Sequence, residues 1–165
     1  MAAGSTYEPI ATTTLASPTS SITVSSIPST YTDLVVVCSV AFTHATDTIG
    51  FRFNGDTGSN YTVHILRGDG SSVSSYAETS QTYMYITPDI AADSASSGIY
   101  GTAIIDVLDY ANTNKLKTVR CLSGNDRNGA GAVGLDSGLW FKAGSGVTSD
   151  AITSITLGGR YGSGF

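Results

Sequence analysis

The sequence predicts an all-β chain, an antiparallel β-sandwich of jelly-roll type, and three observations carry that expectation. Apolar and polar residues alternate with period two in run after run, helical periodicity is sustained nowhere, and turn formers gather between the runs. A chain of 165 residues is one domain by length and can bury roughly 68–70% of the surface it exposes unfolded, so it needs no staples.

Strands are expected near 7–15, 20–27, 33–43, 48–54, 60–67, 81–87, 99–110, 115–123, 137–143 and 151–158. Residues 1–19 read as an N-terminal arm with the first strand, and 20–165 as the sandwich, one domain overall. The arm, "MAAGSTYEPIATTT", is uncharged apart from Glu8, which suits it to gripping a neighbour. "SSITVSSI" at 20–27 is echoed by "TSITLGG" at 153–159, two Ser/Thr-rich strands near opposite ends, and end strands commonly pair in jelly rolls. "DLVVVCSVAF" is apolar on both faces, which suits a central strand covered on both sides. In "TIGFRFN", Ile49, Phe51 and Phe53 share one face while Gly50, Arg52 and Asn54 share the other, the pattern of a half-buried antiparallel strand. His64 alternates with Thr62 and Leu66 in the next run. In "QTYMYI", Thr82, Met84 and Ile86 lie opposite Tyr83 and Tyr85. "GTAIIDVLDY" repeats the two-faced apolar pattern with Asp106 and Asp109 as exceptions, and in "GLWFK" Leu139 and Phe141 oppose Trp140. The connectors are short except for 68–80 and 124–136, loops of a length that is usually functional or mobile.

Composition narrows the function. Only 13% of residues are charged, so hydroxyls and amides must cover much of the surface. Eight Lys and Arg against thirteen Asp and Glu leave a net charge of −5, the wrong sign for a grip on phosphates, so nucleic acid is not an expected partner. The start shows no basic segment followed by an apolar one, and the longest apolar run, "LVVVC", is far short of a membrane span, so neither secretion nor membrane insertion is expected. Cys38 and Cys121 could pair only if their strands face each other; two isolated cysteines are more simply buried free thiols.

The oxygen-rich stretch "RFNGDTGSNY" invites comparison with a calcium loop. Counting from Asn54, an EF-hand needs glycine sixth and an acid twelfth, and Ser59 and Ile65 stand there. Asn54, Gly55, Asp56, Gly58 and Asn60 fit a hairpin turn instead. "RGDG" at 67–70 is ordinary turn chemistry, and "GAGAVG" at 129–134 matches a dinucleotide fingerprint in letters without the strand before it and the helix after it. No G-x-S-x-G, H-E-x-x-H or cysteine cluster accompanies His44 and His64. Asp106 and Asp109 fall on opposite faces of a strand, while Asp89 and Asp136 have no identifiable partner. The expectation is a non-enzyme with no catalytic residue, cofactor or metal. Tyr83, Tyr85 and Trp140, with Tyr7 and Tyr161, are the candidate interface, since Tyr and Trp join apolar area to a polar tip.

The succession "IPSTYTDLVVVCSV", "FRFNGDTGSNYTVHILRGDGSS", "DVLDYANTNKLKTVR", "VGLDSGLW" and "AITSITL" resembles a family of small virion structural proteins of tailed phages, particularly those of marine cyanobacteria and other aquatic bacteria. The resemblance runs from about residue 7 to residue 160. Its matching positions are Asn54, Gly55, Asp56, Gly58 and Asn60; then Asp109, Tyr110, Asn112, Asn114 and Lys115; then Asp136, Ser137, Gly138, Leu139 and Trp140. Such sequences continue into a last strand ending near Leu-Tyr-Gly, whereas this one stops at "RYGSGF": either the sequence is truncated or its last strand is absent, and an edge left unpaired would invite another chain. The resemblance implies a capsid decoration or cement protein on the head exterior, assembled in the bacterial cytoplasm into the virion. It further implies the major capsid protein or other virion proteins as partners, self-association with a trimer favoured, and no cofactor. The alternative is a tail fibre or spike module that binds host glycan, with Tyr76, Asp126, Arg127 and Asn128 lining a shallow site. A polysaccharide hydrolase would instead depend on Asp106, Asp109 or Asp136.

Overall fold

The computed structural model describes residues 7–44, 47–86, 92–93, 98–142, 150–162 and 164–165. Residues 1–6 of the arm, the outer ends of two expected strands at 87 and 143, and Asp89 lie outside the described residues. Eleven strands are present there: β1 (Ser21–Val24), β2 (Leu34–Phe42), β3 (Ile49–Phe53), β4 (Tyr61–Gly68), β5 (Val73–Gln81), β6 (Met84–Tyr85), β7 (Ala92–Asp93), β8 (Gly101–Val107), β9 (Lys117–Asp126), β10 (Gly131–Trp140) and β11 (Ile155–Gly159). They form a smaller sheet in the order β1-β11-β3-β6 and a larger one in the order β5-β4-β10-β9-β8-β2-β7. All pairings are antiparallel except the two-residue parallel bridge of β7 to β2. This is the expected β-sandwich. Within it β8, β9 and β10 run as a meander, which the broad term covers and the narrower expectation of a jelly roll does not require.

The period-two runs place one face of each sheet inside. Ile49, Phe51 and Phe53 of β3 with Ile155 and Leu157 of β11 meet Val63, Ile65, Ala103, Ile105, Val107, Val119 and Cys121 of the larger sheet. Phe53 packs against Trp140 with ring centroids 5.5 Å apart, and Trp140 stacks near Tyr61 at 6.4 Å. Such aromatic pairs add about 0.5–1.5 kcal/mol each beyond the area they bury. At the far end Phe165 stacks on Phe42 at 4.9 Å. The echo between the chain's ends is real pairing: Ser21, Ile22, Thr23 and Val24 oppose Gly158, Leu157, Thr156 and Ile155.

Several expected elements are different. Residues 7–15 form no strand; they are irregular and exposed, so the arm lacks its first strand. The connector read at 68–80 contains β5, a nine-residue edge strand whose "VSSYAETSQ" has no apolar alternation because both of its faces are largely exposed. The other long connector, 124–136, is mostly strand, with β9 and β10 joined by a tight turn in which Arg127 N–H donates to the Ala130 carbonyl at 2.8 Å. β2 is not covered on both faces: Val35 and Val37 point to solvent.

The stretch 54–60 is a corner between sheets, since β3 pairs with β11 and β6 while β4 pairs with β10 and β5. Asn54 (φ 52°) and Gly55 (φ 65°) take the left-handed backbone that turns the chain there. The other motif turn, 108–117, closes on itself. Asp109 is left-handed at φ 51° and bonds Lys115 at 2.6 Å, while the buried Lys117 ammonium donates to the carbonyls of Asn112 and Lys115. Tyr110, also buried, donates its hydroxyl to the Pro28 carbonyl.

Candidate functional site

The outward residues of the larger sheet line up in rows because antiparallel register sets partners side by side. One row is aliphatic across five strands: Val37 of β2 opposes Ile104 of β8, which opposes Leu122 of β9, then Leu135 of β10, then Leu66 of β4. Their exposures are 73%, 45%, 55%, 52% and 47%. At about 4.8 Å per strand the row is roughly 19 Å long. The parallel row beside it holds His64, Ser137, Arg120, Asp106 and Val35, with Arg120 and Asp106 joined at 3.0 Å. A shallow trough of about 660 Å³ runs over this face between Leu66, Ala77, Arg120 and Leu135. Lone exposed aliphatics are normal, but five in one cross-strand line make a contiguous patch of the kind that marks an interface.

The smaller sheet carries a second, more polar concavity of about 270 Å³ on its outer face. Gly50 and Gly158, paired across β3 and β11, form its floor, and Ser21, Arg52, Tyr83 and Arg160 form its sides. Arg52 Nε donates to the Thr82 carbonyl at 2.9 Å, with its guanidinium 5.4 Å from the Tyr83 ring centre. Arg160 is more firmly held: it lies 3.8 Å over the Tyr85 ring and meets Glu78 at 3.2 Å and the Tyr83 hydroxyl at 3.3 Å.

The structure divides the candidate interface. Trp140 and Tyr85 are core residues, a correction to their expected place on an outer face. Trp140 turns inward because the alternation of β10 buries even-numbered positions from Ala132 to Trp140, and Tyr85 is capped by Arg160. Tyr83 is half-buried at the polar groove, whereas Tyr7 on the arm and Tyr161 after β11 are exposed. The motif turns are structural knots. Asp56 accepts from Trp140 Nε1 at 2.8 Å, from Asn60 Nδ2 at 2.9 Å and from Gly58 N–H at 2.8 Å. Partial burial pushes the Asp56 carboxyl up, but these bonds outweigh it and hold the group below the usual carboxylate range. Asn54 spans to the other end of the chain, accepting from Thr153 N–H and donating to the Ala151 carbonyl, both at 2.8 Å. Asn112 accepts from Asn114 N–H at 2.9 Å. Asp136 is buried and Gly138 lies against Met84.

The residues of the expected sugar site are not brought together. Tyr76 stands opposite Ile65, which stands opposite Asp136, while Asp126 pairs with Gly131. Five residues of β10 separate those two rows, about 17 Å. The three aspartates of the hydrolase alternative diverge as well: Asp106 faces outward onto Arg120, Asp136 faces inward, and Asp109 closes a turn. Among the described residues no group of three or more His, Cys, Asp or Glu is placed to hold a metal ion. The aliphatic row does not stand out in the sequence, where β2 reads as covered on both faces and 124–136, with Val133 and Leu135, as a connector. Its signal was present in the alternation of "AVGLDSGLW". Comparison of the chain with protein-family models, with curated proteins and with solved structures gives no match.

Proposed function

We propose that the chain is a non-enzymatic structural protein of a tailed-phage particle, a decoration protein on the head exterior that contacts the major capsid protein or its neighbours. The observation that carries the assembly reading is the aliphatic row Val37-Ile104-Leu122-Leu135-Leu66. Five aligned aliphatics in water contribute nothing to a solitary chain, whereas each side chain covered by a partner stabilises by up to about 1.5–3 kcal/mol. The exposed arm supports the same reading, since Tyr7, Ile10 and Leu15 offer apolar side chains on an irregular segment able to lie along a neighbour. The resemblance in turn and strand-end motifs supplies the phage context. Imaging of particles with a tagged chain tests it: hundreds of copies distributed over the head are expected, and density confined to the tail overturns it.

The second reading, a tail module that binds host glycan, is favoured by the polar groove. A glycine floor lets a sugar ring approach the backbone, and Tyr83 with Arg52 offers a stacking face beside a donor. Binding of host envelope saccharide by the purified chain, lost in Tyr83→Ala or Arg52→Ala, would favour it.

A further inference from the structure

We infer that the outer face of the larger sheet is covered by a second copy of this chain, in a two-fold, face-to-face dimer. The face satisfies three conditions that a self-complementary interface imposes. First, it is large enough. Six strands at about 4.8 Å and three to four outward rows at about 6.8 Å give roughly 590–780 Å² in projection. Accessible area exceeds projection, which brings the face near the roughly 800 Å² per partner of a standard interface.

Second, it is electrically neutral where the chain is not. The formal charge of the chain is −5, yet the rows described here carry one Arg and one Asp, already joined at 3.0 Å. Two copies of an acidic chain repel over most of their surfaces, and this face is where they meet without that cost.

Third, one symmetry operation matches the rows to themselves. A two-fold axis lying in the face, parallel to the strands and between β9 and β10, exchanges β9 with β10, β8 with β4 and β2 with β5 of the other copy. No residue then faces its own copy. Leu122 faces Leu135 of the second copy, and Ile104 faces Leu66. Val133 projects toward Gly124, where no side chain stands. Asp106, which accepts from Arg120 at 3.0 Å, comes opposite His64. The alternative axis, along the aliphatic row, would set each side chain against its own copy and move Asp106 away from His64. Sheets stacked this way lie about 10 Å apart, the spacing at which aliphatic side chains interdigitate.

This inference stands on the face itself, and holds whether the chain decorates a head or a tail. Light scattering on the purified chain is expected to give twice the 17.0 kDa chain mass, and Leu122→Glu is expected to return it to the single mass with an unchanged circular dichroism spectrum. Register is read by cysteine pairing: a mixture of the Ile104→Cys and Leu66→Cys variants should cross-link on oxidation, and either alone should not. A monomeric or trimeric wild-type chain, a dimer that survives Leu122→Glu, or cross-linking within either single variant as efficient as in the mixture would overturn it. A monomer would leave the aliphatic row to another virion component, and the decoration reading would stand or fall by the imaging result alone.

Discussion

The indole Nε1–H of Trp140 donates to the carboxylate of Asp56 across 2.8 Å, joining the last residue of β10 to the corner that carries the chain from one sheet to the other. The same carboxylate holds Asn60 and Gly58, and the Tyr61 hydroxyl reaches both the Phe53 N–H at 3.1 Å and the Asp56 carbonyl at 3.2 Å. The register of the two sheets is thus tied at one point, and the most oxygen-rich motif of the chain is spent on structure.

Asp56→Asn and Trp140→Phe should each destabilise at neutral pH. A hydrogen bond to a charged group is worth about 1.5–3 kcal/mol, and the two losses should overlap in a double-mutant cycle because they remove one bond. The pH dependence has a definite sign. The folded Asp56 pKa lies below its ordinary value of about 3.9, so its stabilisation is present above that value and fades as pH falls through the folded pKa. Chemical denaturation should therefore show the Asp56→Asn deficit shrinking in acid. A deficit that stays constant into strong acid would remove the charge from the account.

Gly138 should not tolerate alanine. A Cβ there would lie 2.7 Å from Met84 Cε and 3.0 Å from Met84 Cγ, and Met84 is buried between the sheets with little room to retreat. Overpacking of this kind costs typically about 1–3 kcal/mol. The cost is relieved if the neighbour shrinks, so Gly138→Ala should destabilise Met84→Ala less than it destabilises the native chain. Thermal melts of the four proteins give the comparison.

Alkaline pH should unfold the chain together with the ionisation of particular tyrosines. Burial raises the phenols of Tyr61 and Tyr85 well above the ordinary value, and raises Tyr76 as well. A folded pKa above the unfolded one contributes stability that is complete below about pH 10 and is lost as pH rises beyond it. Phenolate absorbance from the buried phenols should consequently rise together with the loss of β circular dichroism. Tyr61→Phe should reduce the absorbance change that accompanies unfolding.

The strands with one apolar face were legible because their alternation is a direct image of the pleat: β3 and β4 stand within one residue of their expected bounds. β5 was not legible, since an edge strand with hydroxyls on both sides leaves no period in its residues. Residues 7–15 failed in the opposite way, their mixed "YEPIATTTL" imitating a strand with no partner to bond. Trp140 shows why the site was harder than the fold. Its type suggests an interface and only the register of β10, visible once the turn at 127–130 is placed, turns it inward. The aliphatic row lies further still from the sequence, because it belongs to no single strand and exists only after five have been aligned.

Cys38 and Cys121 should behave as two inert free thiols. Both sit on the larger sheet, but β8 lies between their strands: Cys38 pairs with Ala103, and Cys121 with Ile105. Two strand spacings are about 10 Å, beyond the roughly 7 Å that a disulfide can bridge. Burial pushes the Cys38 thiol up to about 11, against a weaker opposing effect of its bond to the Ala103 carbonyl, and pushes Cys121 higher still. At pH 8 the reactive thiolate of Cys38 is then on the order of a thousandth of the total. Thiol reagents should react slowly with the folded chain and release two equivalents per chain in denaturant, and electrophoretic mobility should be the same with and without reductant. Rapid reaction of one thiol in the folded state would mean that β2, which among the described residues pairs with β7 at Ala41 and Phe42, opens at that edge.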